Sequence, residues 1–246
     1  MAKLLIIESS ERLCEILNEL LDSSDFDYDI VQTYEEAQGL LRRTRYEFAV
    51  TQLTLSDSKE GHIISLLNRY NVAPIIFTQE IDEDFLDSYE SAKIVDYILK
   101  EGEHSLPLVV EKLNQLKSNK QVTLLVVGNS ILHANFIKQT LLLHKFKVLT
   151  ASDGEEALRS LKNHPEVQLV ITNHRMKPMD GIELTQQIRQ TKDKKDLPIL
   201  ALSTLNDADT TSLFLQAGAD DYLAKPFIRD ELYEKIYTNL GLHSCD

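Results

Sequence analysis

Leu169-Val170-Ile171, followed by Thr172-Asn173-His174-Arg175-Met176-Lys177-Pro178-Met179-Asp180-Gly181, decides the fold. An apolar run breaks abruptly into a polar loop. Ile182, Leu184 and Ile188 then resume at helical spacing. The pattern fits a strand covered on both faces, an exposed loop and a helix. In an open α/β sheet, sites form outside the carboxyl ends of the strands. The residue at this strand tip is Asn173, an amide, and much of the functional reading turns on what an amide cannot do.

Working outward, the same alternation fills the rest of that half. Strands are expected at 124–127, 147–150, 169–172, 198–202 and 221–223. Helices are expected at 136–143, 154–161, 181–190, 208–216 and 230–240, with Asp153 as a cap for the second. The first half repeats the pattern. Leu4-Leu5-Ile6-Ile7-Glu8-Ser9-Ser10 is echoed, 120 residues later, by Leu124-Leu125-Val126-Val127-Gly128-Asn129-Ser130. Its strands are expected at 3–7, 28–31, 48–51, 74–78 and 94–99. Helices lie between them, a weaker one at 82–91 and a last one at 106–117 with Pro107 in its first turn. Pro74 falls at the first position of its strand, where a missing N–H costs least. Apolar strands alternating with helices argue for parallel sheets with both faces covered. Self-similarity at this period argues for two tandem domains, 1–118 and 122–246, joined by the polar linker 119–121.

Bulk properties exclude several classes. The chain has 246 residues, 43% of them apolar and 26% charged, with a net charge of −13. Residues 1–120 carry 12 basic against 23 acidic side chains, and residues 121–246 carry 14 against 16. So acidic a chain is a poor candidate for nucleic acid, which needs clustered Lys and Arg against phosphates. No apolar run approaches a membrane span, and the apolar stretch 4–7 is too short for a secretory signal. Cys14 and Cys245 make no metal or redox pattern and suit a reducing cytoplasm. The histidines are scattered, with His174 expected as an exposed loop residue. Asp57 and Asp180 are expected to cap helices, and Asp220-Asp221 to form a turn.

Asp153-Gly154-Glu155-Glu156-Ala157-Leu158, Met179-Asp180-Gly181, Ala217-Gly218-Ala219-Asp220-Asp221-Tyr222 and Lys225-Pro226-Phe227 resemble the receiver domain of bacterial response regulators. The first half resembles it more weakly, chiefly through Asp96-Tyr97-Ile98-Leu99-Lys100. The pairing is similar to regulators built as receiver, receiver and GGDEF-type diguanylate cyclase. The resemblance implies two doubly wound, flavodoxin-like (βα)5 domains in two-component, phosphorelay signal transduction. It also implies a cis peptide at Lys225-Pro226.

An active receiver, as the resemblance has it, needs an aspartate nucleophile at the third strand tip. It also needs an acidic pair holding Mg²⁺, a hydroxyl after the fourth strand and a lysine after the fifth. Metal and lysine offset the repulsion between an anionic nucleophile and an anionic donor. Here the nucleophile position holds Asn173 in the second domain and Gln52 in the first. The acidic pair is Gly128-Asn129 in the second and Glu8-Ser9 in the first. The switch residues persist as Ser203 with Lys225, and as Thr78 with Lys100. A single altered position would not remove three carboxylates, so the losses are read as native. No catalytic residue and no cofactor is expected, and Mg²⁺ is not expected to bind. A metal-free Glu8–Lys100 pair is expected in the first domain, and a net positive site in the second. The expected function is that of two pseudo-receivers, cytoplasmic and non-enzymatic. They would act by protein contact or homodimerisation through the fourth helix, fifth strand and fifth helix, with a sensor kinase as a further candidate partner. Control of a C-terminal output such as a diguanylate cyclase, hence cyclic di-GMP signalling, goes with the resemblance. The competing reading is a flavodoxin-like module that binds a small anion or ligand at the altered strand tips.

Overall fold

The computed structural model describes residues 3–22, 24–80, 93–204 and 208–242. The expected helix at 82–91, His243 and Cys245 lie outside them. The chain divides into two compact units, Met1–Ser118 and Asn119–Asp246.

In the first unit the strands are β1 (Lys3–Ile7), β2 (Asp27–Val31), β3 (Phe48–Thr51), β4 (Pro74–Thr78) and β5 (Asp96–Leu99). They form one parallel sheet in the order β2-β1-β3-β4-β5. The described helices are α1 (Glu11–Asp22), α2 (Tyr34–Leu41), α3 (His62–Arg69) and α4 (Leu106–Asn119). Alternate strand residues serve opposite faces. Leu4, Ile6, Val50 and Phe77 pack with Leu17 and Leu21 of α1 and Val109 and Leu113 of α4. Leu5, Ile7 and Ala49 pack with Ala37 of α2 and Ile63 and Leu67 of α3.

The second unit repeats the plan with β6 (Thr123–Val127), β7 (Lys147–Ala151), β8 (Val167–Asn173), β9 (Ile199–Thr204) and β10 (Asp221–Lys225). Read in the same sense, the parallel sheet runs β7-β6-β8-β9-β10. Its helices are α5 (Ile131–Leu143), α6 (Gly154–Asn163), α7 (Gly181–Arg189), α8 (Ala208–Ala217) and α9 (Arg229–Leu240). Leu124, Val126, Leu169 and Ile171 face α5 and α9 through Ile137, Leu141, Leu232 and Ile236. Leu125, Val127 and Val170 face the other three helices through Ala157, Leu184 and Phe214. Both units are therefore doubly wound, flavodoxin-like five-stranded parallel sheets. In each, all five strands end on one edge, so residues just after them meet.

Three differences from expectation have physical reasons. Helix α5 begins five residues earlier than the expected start at 136, behind Ser130, whose hydroxyl accepts the His133 N–H at 3.4 Å. Its first residues, Ile131 and Leu132, are 78% and 82% exposed, so no core-facing period announces them. Asn119, expected in the linker, is the last residue of α4 and fully buried. Its amide donates to the carbonyl of His144 and to the hydroxyl of Tyr237, both at 2.8 Å. His144 is itself buried, stacked on Tyr233 at 3.5 Å between ring centroids. Strand β10 reaches Lys225, two residues beyond expectation, through pairing with Thr204.

Candidate functional site

Glu8 follows β1 and is 3% exposed. A carboxylate so enclosed is tolerated only where charge and hydrogen bonds compensate it. Lys100, following β5, supplies the charge, with Nζ 2.6 Å from Glu8 Oε2. The backbone N–H of Ser10 donates to Glu8 Oε1 at 3.0 Å. Gln52, at the β3 tip, completes the cluster. Its Oε1 accepts from Lys100 Nζ at 3.0 Å, and its Nε2 donates to Ser9 Oγ at 2.7 Å. Lys100 Nζ also lies 5.1 Å from the centroid of Phe77. Thus Glu8, Ser9, Gln52 and Lys100 come together as one chain of polar contacts. Thr78 stands apart, its hydroxyl donating to the carbonyl of Glu80 at 3.2 Å. The neighbouring Thr51 points inward, 1% exposed, as strand alternation requires.

The second unit solves the same edge differently. Lys225 Nζ donates to Asn173 Oδ1 at 2.5 Å. The other end of that amide, Nδ2, occupies the space where a side chain at 128 would begin. A Cβ built on Gly128 would overlap it well inside van der Waals distance. Gly128 and Asn173 are thus sterically matched, and a side chain at 128 would require the inward-turned amide to move. Lys225 is half-buried, and burial pushes its ammonium below the ordinary lysine range. Ser203 is 3% exposed and accepts from the Thr211 hydroxyl at 3.5 Å. A cleft of about 230 Å³ opens here, lined by Asn129, Asn173, Arg175, Ser203 and Lys225 among others, with no Asp or Glu among its described lining. Lys177–Pro178 and Lys225–Pro226 are both cis.

Among the described residues, no group of three or more His, Cys, Asp or Glu could hold a metal ion. No described helix is long and apolar enough to cross a membrane. The expected capping aspartates do cap. Asp180 accepts from the N–H groups of Ile182 and Glu183, both at 2.9 Å. Asp57 accepts from those of Tyr34 and Glu35 at 2.9 and 3.0 Å. Asp220 is more than a turn residue: it takes Arg189 Nη2 at 2.6 Å and the N–H of Ile199 at 2.7 Å. His174 is half-buried rather than exposed, edge-on to Phe214 at 5.7 Å. Sequence reasoning missed the bridging role of Gln52 and the fit of Gly128 to Asn173. The matched pairing of a long amide with Glu8-Ser9, and of a short one with glycine, was the available signal.

Comparison with known proteins gives three findings. The family model described as response regulator receiver domain matches residues 124–237. A chemotaxis protein CheY homolog of Campylobacter jejuni is 36% identical over 122 residues, 49% of this chain and 94% of that protein. Response regulator MprA of a Mycobacterium species is also 36% identical, over 125 residues, 51% of this chain and 53% of that protein. Two solved structures match nearly the whole chain, each described as a two-component system response regulator/GGDEF domain protein. One has a TM-score of 0.84 at 29% identity, covering 99% of this chain and 100% of that one. The other has a TM-score of 0.82 at 29% identity, covering 98% of each.

Proposed function

The chain belongs to the response-regulator receiver family of two-component systems, and from that premise we propose that both its units are pseudo-receivers, folded as receivers but unable to accept a phosphoryl group. One observation carries the reading. Where an aspartate would attack, Asn173 offers an amide whose oxygen is bound to Lys225 and whose nitrogen fills the space over Gly128. The amide has no anionic oxygen, so it forms no acyl phosphate. In the first unit Gln52 fails for the same reason, and Glu8 is committed to Lys100. The second cleft has no carboxylate among its described lining. In the first, Glu8 is paired with Lys100, and among the described residues Glu60 and Glu80 join it in no group that could hold a metal ion, so neither site offers Mg²⁺ the anionic oxygens it favours.

The module then works through contacts. Leu213 and Leu215 of α8 and Tyr222 of β10 are 49%, 44% and 41% exposed. Leu213 and Leu215 flank the buried Phe214 on α8, so their exposure together with that of Tyr222 is what supports a contact surface in this part of the unit. We assign the face of α8, β10 and α9 to homodimerisation, with a protein partner such as a kinase as the alternative occupant. The similarity to solved chains described as response regulator/GGDEF domain proteins supports a diguanylate cyclase as the output in the parent protein. Titration calorimetry with Mg²⁺ tests the altered sites: heats fitting millimolar or tighter binding would overturn the reading. Light scattering tests the surface, with a concentration-dependent mass expected, and lost on Leu213→Glu with Leu215→Glu.

A further inference from the structure

Helices α1 and α5 hold the same place in the two units, 120 residues apart, and their outer sides differ in kind. The outer side of α1 carries Glu11, Arg12, Glu15, Glu19 and Asp22, all exposed and all charged. The equivalent positions of α5 hold Ile131, Leu132, Asn135, Gln139 and Leu142, all exposed and none charged. Phe136 joins them at 45% exposure. The sequence of α5 contains no Asp or Glu. Its inner side, with Ile137 and Leu141, fills the core of the second unit. A helix that is apolar on its outer as well as its inner side belongs between two layers, not at a free surface. Apolar residues scattered singly over a surface need no explanation, but four gathered on one side of one helix form a patch that does.

We propose that the outer side of α5 packs against the same side of α5 in a second copy of this chain, across a two-fold axis. Such a contact sets a patch against itself, so the patch must be self-complementary. A like-charged patch fails that condition, and the chain as a whole carries a net charge of −13. The α5 side meets it. Its apolar side chains bring no charge to repel, and the amides of Asn135 and Gln139 each donate and accept, so two copies can satisfy one another. A partner recruited by charge complementarity finds no charge among these six side chains to pair with. The 13 residues of α5 span about 20 Å, which offers less than the about 800 Å² that each partner buries in a standard interface. The contact is therefore a weak one that forms at high protein concentration. It uses none of Leu213, Leu215 and Tyr222, and it does not rest on the pseudo-receiver reading.

Sedimentation velocity over a concentration series provides the test. The full chain carrying Leu213→Glu with Leu215→Glu reads α5 alone, whether or not the α8 surface also pairs. Dimer is expected to form as the concentration of that chain is raised. Adding Ile131→Glu, Asn135→Glu, Gln139→Glu and Leu142→Asp is expected to abolish it by like-charge repulsion. These are the acids that α1 carries at the same positions, so the fold accommodates them. Leu132→Gln with Phe136→Gln removes apolar surface without adding charge and is expected to weaken the dimer about tenfold or more. The thermal midpoint of each variant is expected to stay near that of its parent, because every altered side chain is exposed. A chain that stays monomeric throughout the series would overturn the inference, as would a dimer that survives the four acidic substitutions.

Discussion

Removing the strand-tip lysine should have opposite consequences in the two units. In the first, Lys100→Met leaves Glu8 without its only ionic partner among the described residues. Both side chains are nearly enclosed, Lys100 at 9% and Glu8 at 4% exposure, so solvent does little to screen the loss. Breaking a buried pair by deleting one member costs about 3–5 kcal/mol, chiefly because a charge is left buried and unmatched. The Ser10 N–H remains on Glu8, and the figure should fall toward the lower end for that reason. At about 1.4 kcal/mol per decade, 3 kcal/mol is roughly a hundredfold loss of protection. In the second unit, Lys225→Met removes a half-buried cation that, among the described residues, meets an amide oxygen and no carboxylate. It also lifts the desolvation penalty that lowers the lysine's pKa, so stability should hold or rise. Native-state hydrogen exchange read by mass spectrometry resolves the two units in one sample. Peptides spanning β1 and β4 should lose protection in Lys100→Met while those spanning β6 and β8 do not. Glu8→Gln with Lys100→Met should recover most of the loss, since replacing both members of a buried pair is often neutral. Unchanged protection of β1 and β4 in Lys100→Met would refute the assignment of the pair as the centre of that edge. So would equal losses from the two lysine variants.

Other consequences follow from the same geometry. Gly128→Ala should cost about 1–3 kcal/mol by driving the Asn173 amide off Lys225. Adding Asn173→Ala should return part of it, and a double-mutant cycle by urea denaturation gives the coupling and its sign. Asp57 is held below the ordinary carboxylate range, first by the N–H of Tyr34 and then by that of Glu35. A depressed folded-state pKa contributes stability above the unfolded value of about 3.9, and that contribution is lost as pH falls through the folded value. Asp57→Ala should therefore lower the urea midpoint at neutral pH, and the gap to wild type should close in acid. Arg189→Met should expose the cost of taking from Asp220 its 2.6 Å guanidinium contact, leaving it the Ile199 N–H and a longer contact to Lys194. Lys194, at 4.0 Å and largely exposed, is the weaker partner and should compensate only in part. The result should be lower exchange protection in β9 and β10.

The fold was readable because its signal is repeated. Runs such as Leu4-Leu5-Ile6-Ile7 and Leu124-Leu125-Val126-Val127 are buried on both faces, and such strands spell themselves out without alternation. Legibility failed where exposure hides periodicity. Ile131 and Leu132 belong to α5 but face solvent, so the sequence places its start near the first buried turn. Asn119 and His144 are polar residues that tertiary packing buries, and nothing local to either predicts the other, 25 positions away. At the strand tips, residue types told which chemistry was missing. They did not tell what replaced it. Gln52 reaches Lys100 and Ser9 together because it is one methylene longer than an asparagine would be. Asn173 turns inward because Gly128 leaves it room. Both facts are pairwise and three-dimensional, spanning strands far apart in the chain.

The central claim, that neither unit can accept a phosphoryl group, is most directly tested by intact mass spectrometry after incubation with acetyl phosphate and Mg²⁺. Peptides containing Gln52 and Asn173 should be read separately, with an active receiver as the positive control. The account predicts an unmodified chain under conditions that modify the control. A stable phosphoryl adduct mapped to either strand tip would contradict it.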